Sequence, residues 1–362
     1  MADSSVLNRR LSAQRLSGAP FATPAAALAH FGAVQAQDYR AALWALGQRV
    51  AGATEATVVQ AIADGSIVRT WPLRGTIHFV APGDARWILG LSAGRVARGM
   101  AGRWRQLELT DDDFARSRQA LVAALSGGRR LPRPAAYAAL EAAGVATTGQ
   151  RGIHILGRLA LDGLICFGPH EGKQPTFVLL DEWAAPGAQL SRPEALAELA
   201  RRYFIGHGPA TLADFVWWSG LTATEARAGL EAAEGDLERD EFEGQAMWFA
   251  PAELPTTPPS PVAHLLPVYD EYLVGYRDRS AALPAAVAAR SDSGNGIFRP
   301  PLLIDGQMAG TWTRQVNKNG VVVALNLFRA LDEAERAAVA AAAARYGAFL
   351  GLEARLTGEG YA

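Results

Sequence analysis

The chain has 362 residues, 49% of them apolar, with a formal net charge of −1. That length predicts two to four modules with an ample core, and the composition excludes fibrous and disordered classes. A single cysteine, Cys166, excludes a disulfide framework and a cysteine-based zinc site.

From the N-terminus, Met1–Arg15 lacks a basic stretch followed by an apolar one, so no secretory leader is expected. No apolar run approaches a bilayer span, so the expectation is a cytoplasmic protein with no membrane contact. A monomer is expected, although no residue pattern carries that expectation. Pro24–Ala33 and Glu55–Ala63 read as helices. Ile67–Trp71 and Gly75–Val80 read as strands around Pro72-Leu73-Arg74, and Pro82-Gly83-Asp84 opens a helix to about Arg98. The segment Gln35–Gln48 fits none of this.

The next module is clearer. Thr110 precedes three acids, a helix start, and Phe114, Leu121, Val122 and Leu125 follow at helical spacing. A second helix opens at Arg133-Pro134, and a third near Thr148 carries Ile153, Leu156 and Leu159. Strands Leu164–Phe167 and Thr176–Leu180 flank a turn at Gly168–Gly172. Three helices and a hairpin is the winged-helix order, a helix-turn-helix variant. It recurs from Ser191 to Ala250. Ser191/Glu194, Thr211/Asp214 and Thr222/Glu225 mark helix starts, and strands Leu237–Phe242 and Gln245–Phe249 surround Glu243-Gly244.

A Pro-rich linker, Pro251–Pro261, then leads to strands Pro301–Ile304, Gln307–Thr313 and Val321–Leu327. Asp305-Gly306 and Asn319-Gly320 are hairpin turns, and Leu331–Phe349 is an Ala-rich helix. The predicted boundaries are 1–105, 106–188, 189–255 and 256–362. The fold class is α+β. Winged helices do not all bind DNA, so architecture leaves function open.

There is no phosphate loop, dinucleotide fingerprint or nucleophile elbow, and the six histidines lack metal-ligand spacing. Neither a metal nor a cofactor is expected. Three segments mix polar and aromatic residues as neither a core nor a plain surface needs: Val34–Leu46, Thr70–Val80 and Val268–Arg279. In this order they resemble the AlkZ-like family of bacterial winged-helix DNA glycosylases. Gln35-Ala36-Gln37 matches its Gln-apolar-Gln hallmark. Arg74–His78, Asp270–Leu273 and Gly310-Thr311-Trp312 match further stretches. The resemblance covers nearly the whole chain. It implies three tandem winged helices in a C shape with a C-terminal β-barrel-like part. The implied activity is excision of alkylpurines, and unhooking of interstrand crosslinks, from double-stranded DNA.

The chemistry agrees with the residues. An N7-alkylated purine is cationic and leaves easily, so the enzyme mainly holds a water in line. Each glutamine carbonyl can accept a hydrogen bond from that water. The resemblance gives this role to Gln35 and Gln37, with Asp38 as support. Residues i and i+2 diverge on a helix but share a side when extended, so the pair must lie outside a regular helix. Lys173 and Lys318 are the two lysines, and neither is near this motif. A Schiff-base lyase step is therefore not expected.

Arg74 is a phosphate candidate. His78 is either a structural histidine or a DNA contact. Arg277 and Arg279 either contact phosphate or pair with Asp270, Glu271 and Asp278. Trp44, Trp71, Trp217, Trp218 and Cys166 read as core. The rival readings are a non-catalytic winged-helix DNA-binding regulator, which needs no water-positioning pair, and a partner-binding protein without salt-dependent DNA affinity.

Overall fold

The computed structural model describes residues 4–251, 260–291 and 299–358, so most of the Pro-rich linker lies outside the described residues. The first segment comprises α1 (Ser4–Ala13), α2 (Pro24–Phe31), β1 (Val34–Gln35), α3 (Tyr39–Gly47), α4 (Glu55–Ala63), β2 (Val68–Leu73), β3 (Thr76–Val80) and α5 (Ala85–Gln106). Helix α5 outruns its expected end near Arg98. Gly99 and Gly102 weaken helix propensity, but Trp104 buries in the next segment's core and holds the last turns.

The second segment holds α6 (Asp111–Leu125), β4 (Leu131–Pro132), α7 (Arg133–Ala142), α8 (Arg151–Leu161), β5 (Ile165–Glu171), β6 (Gln174–Leu179) and α9 (Leu180–Trp183). The third holds α10 (Arg192–His207), α11 (Leu212–Ser219), α12 (Ala223–Ala233), β7 (Glu238–Phe242) and β8 (Gln245–Phe249). Both run as three main helices and then a hairpin. Capping boxes form at Thr110/Asp113, Ser191/Glu194, Thr211/Asp214 and Thr222/Glu225, so these helices begin where the local chemistry dictates.

The last segment has β9 (Ala263–Leu265), α13 (Glu271–Val274), α14 (Ala285–Ser291), β10 (Pro301–Ile304), β11 (Gln307–Asn317), β12 (Gly320–Leu327), α15 (Glu333–Leu350) and β13 (Ala354–Thr357). Its strands form one sheet in the order β13-β12-β11-β10-β9, antiparallel except for β12–β13.

Two features tie the segments together. The hairpins of the first two join into one six-stranded sheet, β1-β3-β2-β5-β6-β4, through the Arg69–Phe167 pair. The cores also cross the segments. Trp44 of α3 packs against Tyr346 and Phe349 of α15 and donates its indole N–H to the Leu265 carbonyl at 2.6 Å. The face of β2–β3 bearing Val68 and Val80 shares a core with Tyr203, Phe204 and Trp218 of the third segment. Cys166 is a fully buried strand residue, as expected, and burial pushes its thiol pKa up. No helix among the described residues is long and apolar enough to cross a membrane.

Candidate active site

The segment that resisted sequence reading is a two-residue edge strand, β1, and a bend that feeds α3. Gln35 lies in β1 opposite His78, and Gln37 lies in the bend. Neither glutamine is in a helix, where residues i and i+2 would diverge.

The backbone here is held at every step. The Gln35 N–H donates to Glu271 Oε1 at 2.7 Å. The Ala36 N–H donates to the Ile77 carbonyl at 2.7 Å. The Ala36 carbonyl accepts from Arg69 Nε and Nη2 at 3.2 and 2.9 Å. Because Arg69 takes that carbonyl, the Ile77 N–H turns to the side-chain oxygen of Gln37, at 3.2 Å. Gln37 thus supplies a ladder acceptor from its side chain, which fixes its rotamer. The Gln35 carbonyl accepts from Arg74 Nη2 at 3.2 Å. A carbonyl has two lone pairs, so each glutamine keeps one for another donor. Gln35 is only 8% exposed while Gln37 is exposed, so the pair straddles the protein surface.

Asp38 caps α3, accepting from the Ala41 N–H at 2.9 Å, and stays exposed beside Gln37. Arg69 is stacked 4.5 Å from the Phe167 ring centre, and burial lowers its pKa to about 10.

Behind the glutamines stands a carboxylate that the sequence offers only within the Asp270–Leu273 stretch and as an ion-pair partner for Arg277 and Arg279. Glu271 is fully buried, and its Oε2 accepts from Trp218 Nε1 at 2.9 Å and faces His207 Nε2 at 3.1 Å. Burial alone would raise its pKa. The His207 hydrogen bond and charge, with the Gln35 N–H, outweigh burial and lower it. His207 is the last residue of α10. Removing the Glu271 carboxylate would strand two buried donors and an imidazole. Glu271→Ala is therefore expected to cost about 3–5 kcal/mol of stability in urea unfolding, as breaking a buried pair does.

Its neighbour Asp270 forms a buried bidentate pair with Arg49, at 2.7 and 2.9 Å, and caps α13. This takes Asp270 and Glu271 out of the ion-pair alternative for Arg277 and Arg279, since both carboxylates are spent inside; Asp278, the third acid of that alternative, is exposed. Arg277 is exposed, with its backbone N–H on Asp214 Oδ1 at 2.9 Å. Arg279 Nε donates to the Leu273 carbonyl, and its guanidinium lies 5.4 Å from the Trp217 ring centre. Trp217 is 47% exposed and departs from the core reading, whereas Trp44 and Trp218 are buried.

Two other expectations change. His78 has no exposed surface, and its Nδ1 lies 3.0 Å from the Thr76 carbonyl. That leaves the structural role, not a DNA contact. Burial, then the Arg74 charge, lower its pKa to about 3. Arg74, the phosphate candidate, turns inward to Gln35. Lys173 and Lys318 lie in the β5–β6 and β11–β12 turns. No group of three or more His, Cys, Asp or Glu among the described residues could hold a metal.

Comparison with known proteins places the chain among DNA glycosylases. A curated relative, the interstrand DNA cross-link repair glycosylase of Streptomyces sahachiroi, is 28% identical over 305 residues, covering 77% of this chain and 79% of that one. The solved structure of the Streptomyces sahachiroi DNA glycosylase AlkZ has the same fold, with a TM-score of 0.81 at 24% identity over 99% of this chain and 100% of that one. Residues 28–349 match the family described as DNA glycosylase AlkZ-like, and the chain belongs to that family of DNA glycosylases.

Proposed function

We propose that this glycosylase hydrolyses the N-glycosidic bond of cationic N7-alkylpurines in duplex DNA and unhooks interstrand crosslinks built on such bases. The carrying observation is the non-helical Gln35–Gln37 pair, each carbonyl anchored by one donor with a lone pair to spare. A cationic purine needs little help to leave, so orienting the water is the main task. The exposed Asp38 carboxylate lies beside the pair in sequence and favours positive charge developing on the sugar. The relative's action on interstrand crosslinks supports the wider substrate range. The family assignment favours this reading over a non-catalytic regulator.

In this reading the three helix–hairpin units, within 1–105, 106–188 and 189–255, are winged helices that form a C around the duplex. Residues 256–362 form the barrel-like support. Exposed Arg277 and Trp217, with the half-buried Arg279 beside them, face the DNA. No lysine adjoins the glutamine pair in sequence, so the product is an abasic site.

Incubation with a duplex carrying N7-methylguanine, then alkali, is expected to break the strand at the lesion. A nitrogen-mustard crosslink should be unhooked, and borohydride should trap no covalent adduct. No release from either duplex would end this reading.

A further inference from the structure

Arg74 has a backbone that its side chain does not explain. Its φ is +53°, and Gly75 follows at +72°. Two left-handed residues in a tight hairpin favour Asn-Gly, and a long side chain at the first is strained. Strain of this kind persists where a side chain is needed.

The side chain runs inward, not out to solvent. Its stem passes Gly220, where an added Cβ would lie 3.0 Å from Arg74 Cγ. Gly220 caps α11 with φ of +68°, so it provides both the helix end and the passage. The guanidinium then donates through Nη2 to Gln35 Oε1, while Nη1 is buried without a hydrogen-bond partner. Glu271 supplies the opposite charge and holds the Gln35 backbone.

We propose that Arg74 is the positioning residue for Gln35. This rests on the water-holding role of Gln35 proposed above. A guanidinium has donors only, so it can face the carboxamide oxygen but not its amide nitrogen. Arg74 therefore fixes which end of the Gln35 amide is the carbonyl and where its free lone pair points. Glu271 fixes the strand and Arg74 fixes the side chain, and the two clamp Gln35 from either end. An unanchored carboxamide could flip and present N–H groups to the water.

The test is Arg74→Asn, because Asn suits the left-handed turn while removing the guanidinium. Single-turnover excision of N7-methylguanine, duplex Kd at several salt concentrations and Tm are measured for R74N, R74K, Q35A and R74N/Q35A. The expected R74N result is a Tm lowered no more than that of Q35A, an excision rate at least about 10-fold lower, and an unchanged Kd and salt slope. R74K, a single-point donor at the same place, should recover part of the rate and keeps the test open if R74N folds poorly. The double variant should be no slower than Q35A, since both act through one group.

Multiplicative losses would overturn the proposal and indicate a general structural role. A salt slope reduced by about one with an intact rate would overturn it in favour of a phosphate contact. Q35A at the wild-type rate would fail the underlying reading of Gln35. Q35A slow with R74N at the wild-type rate would fail this inference alone.

Discussion

Stability is expected to collapse between about pH 6.5 and pH 4. Two buried histidines, His78 and His264, and the half-buried His30 all have lowered pKa values. His30 is lowered to about 4 by burial, with the Arg15 charge adding to the effect, and its Nε2 is 2.8 Å from the Ala13 carbonyl. His78 is lowered to about 3 by burial and then Arg74. His264 is lowered to about 3 by burial, then Arg345 and Arg49. The unfolded chain protonates each near pH 6.5. Depressed folded values mean that the stabilisation is present above the unfolded pKa and lost as pH falls toward the folded ones. Near pH 5 the unfolded state binds about three more protons than the folded state, a slope of about 4 kcal/mol per pH unit. Over two units that approaches the whole stability of an ordinary domain.

Glu271, also with a lowered pKa, adds its own loss at lower pH, beginning as the unfolded carboxylate takes up its proton near pH 4.5 and ending once the folded one titrates. Urea midpoints taken from pH 7 to pH 4.5 check the slope. His264→Leu and His78→Gln should each flatten it by about 1.4 kcal/mol per pH unit. A stability unchanged from pH 7 to pH 5 would contradict the burial of these groups as neutral imidazoles.

Much of the fold is legible in the sequence because it is local. Thr110, Ser191, Thr211 and Thr222 begin helices through side chains three residues away, and Asp305-Gly306 turns a hairpin with both residues at positive φ. The pairing of β2 with β5 is not legible, since nothing near Arg69 signals Phe167. The short strands β9 and β13 escape for the same reason, as does the continuation of α5 past Arg98, which Trp104 secures from another segment. At the site, Gln35 and Gln37 stand out through a resemblance, not through periodicity. Glu271 and His207 lie 64 residues apart in the chain, and their contact is a product of the fold. Arg74 is visible as an arginine near a turn, but which way it points depends on Gly220 leaving room.

Replacing Gln35 and Gln37 is expected to have the largest effect on catalysis. The anchored carbonyls orient a water that is otherwise free to tumble, and loss of orientation at a reacting centre costs on the order of 100-fold or more. Q37A also strips the Ile77 N–H of its acceptor, but that group is exposed and water can replace the lost bond. Q35A removes a nearly buried amide and strands the Arg74 guanidinium, so its Tm should fall more than that of Q37A. Neither substitution removes a positive charge, so phosphate-driven affinity should survive both.

The most direct measurement of the central claim is single-turnover release of N7-methylguanine by the unaltered chain, Q35A, Q37A and the double variant. Kd is determined for each on the same duplex. The account predicts release by the unaltered chain, a loss of at least about 100-fold in each single variant, and closely similar Kd values throughout. Release by the double variant at the unaltered rate, or a rate loss matched by an equal loss of affinity, would contradict it.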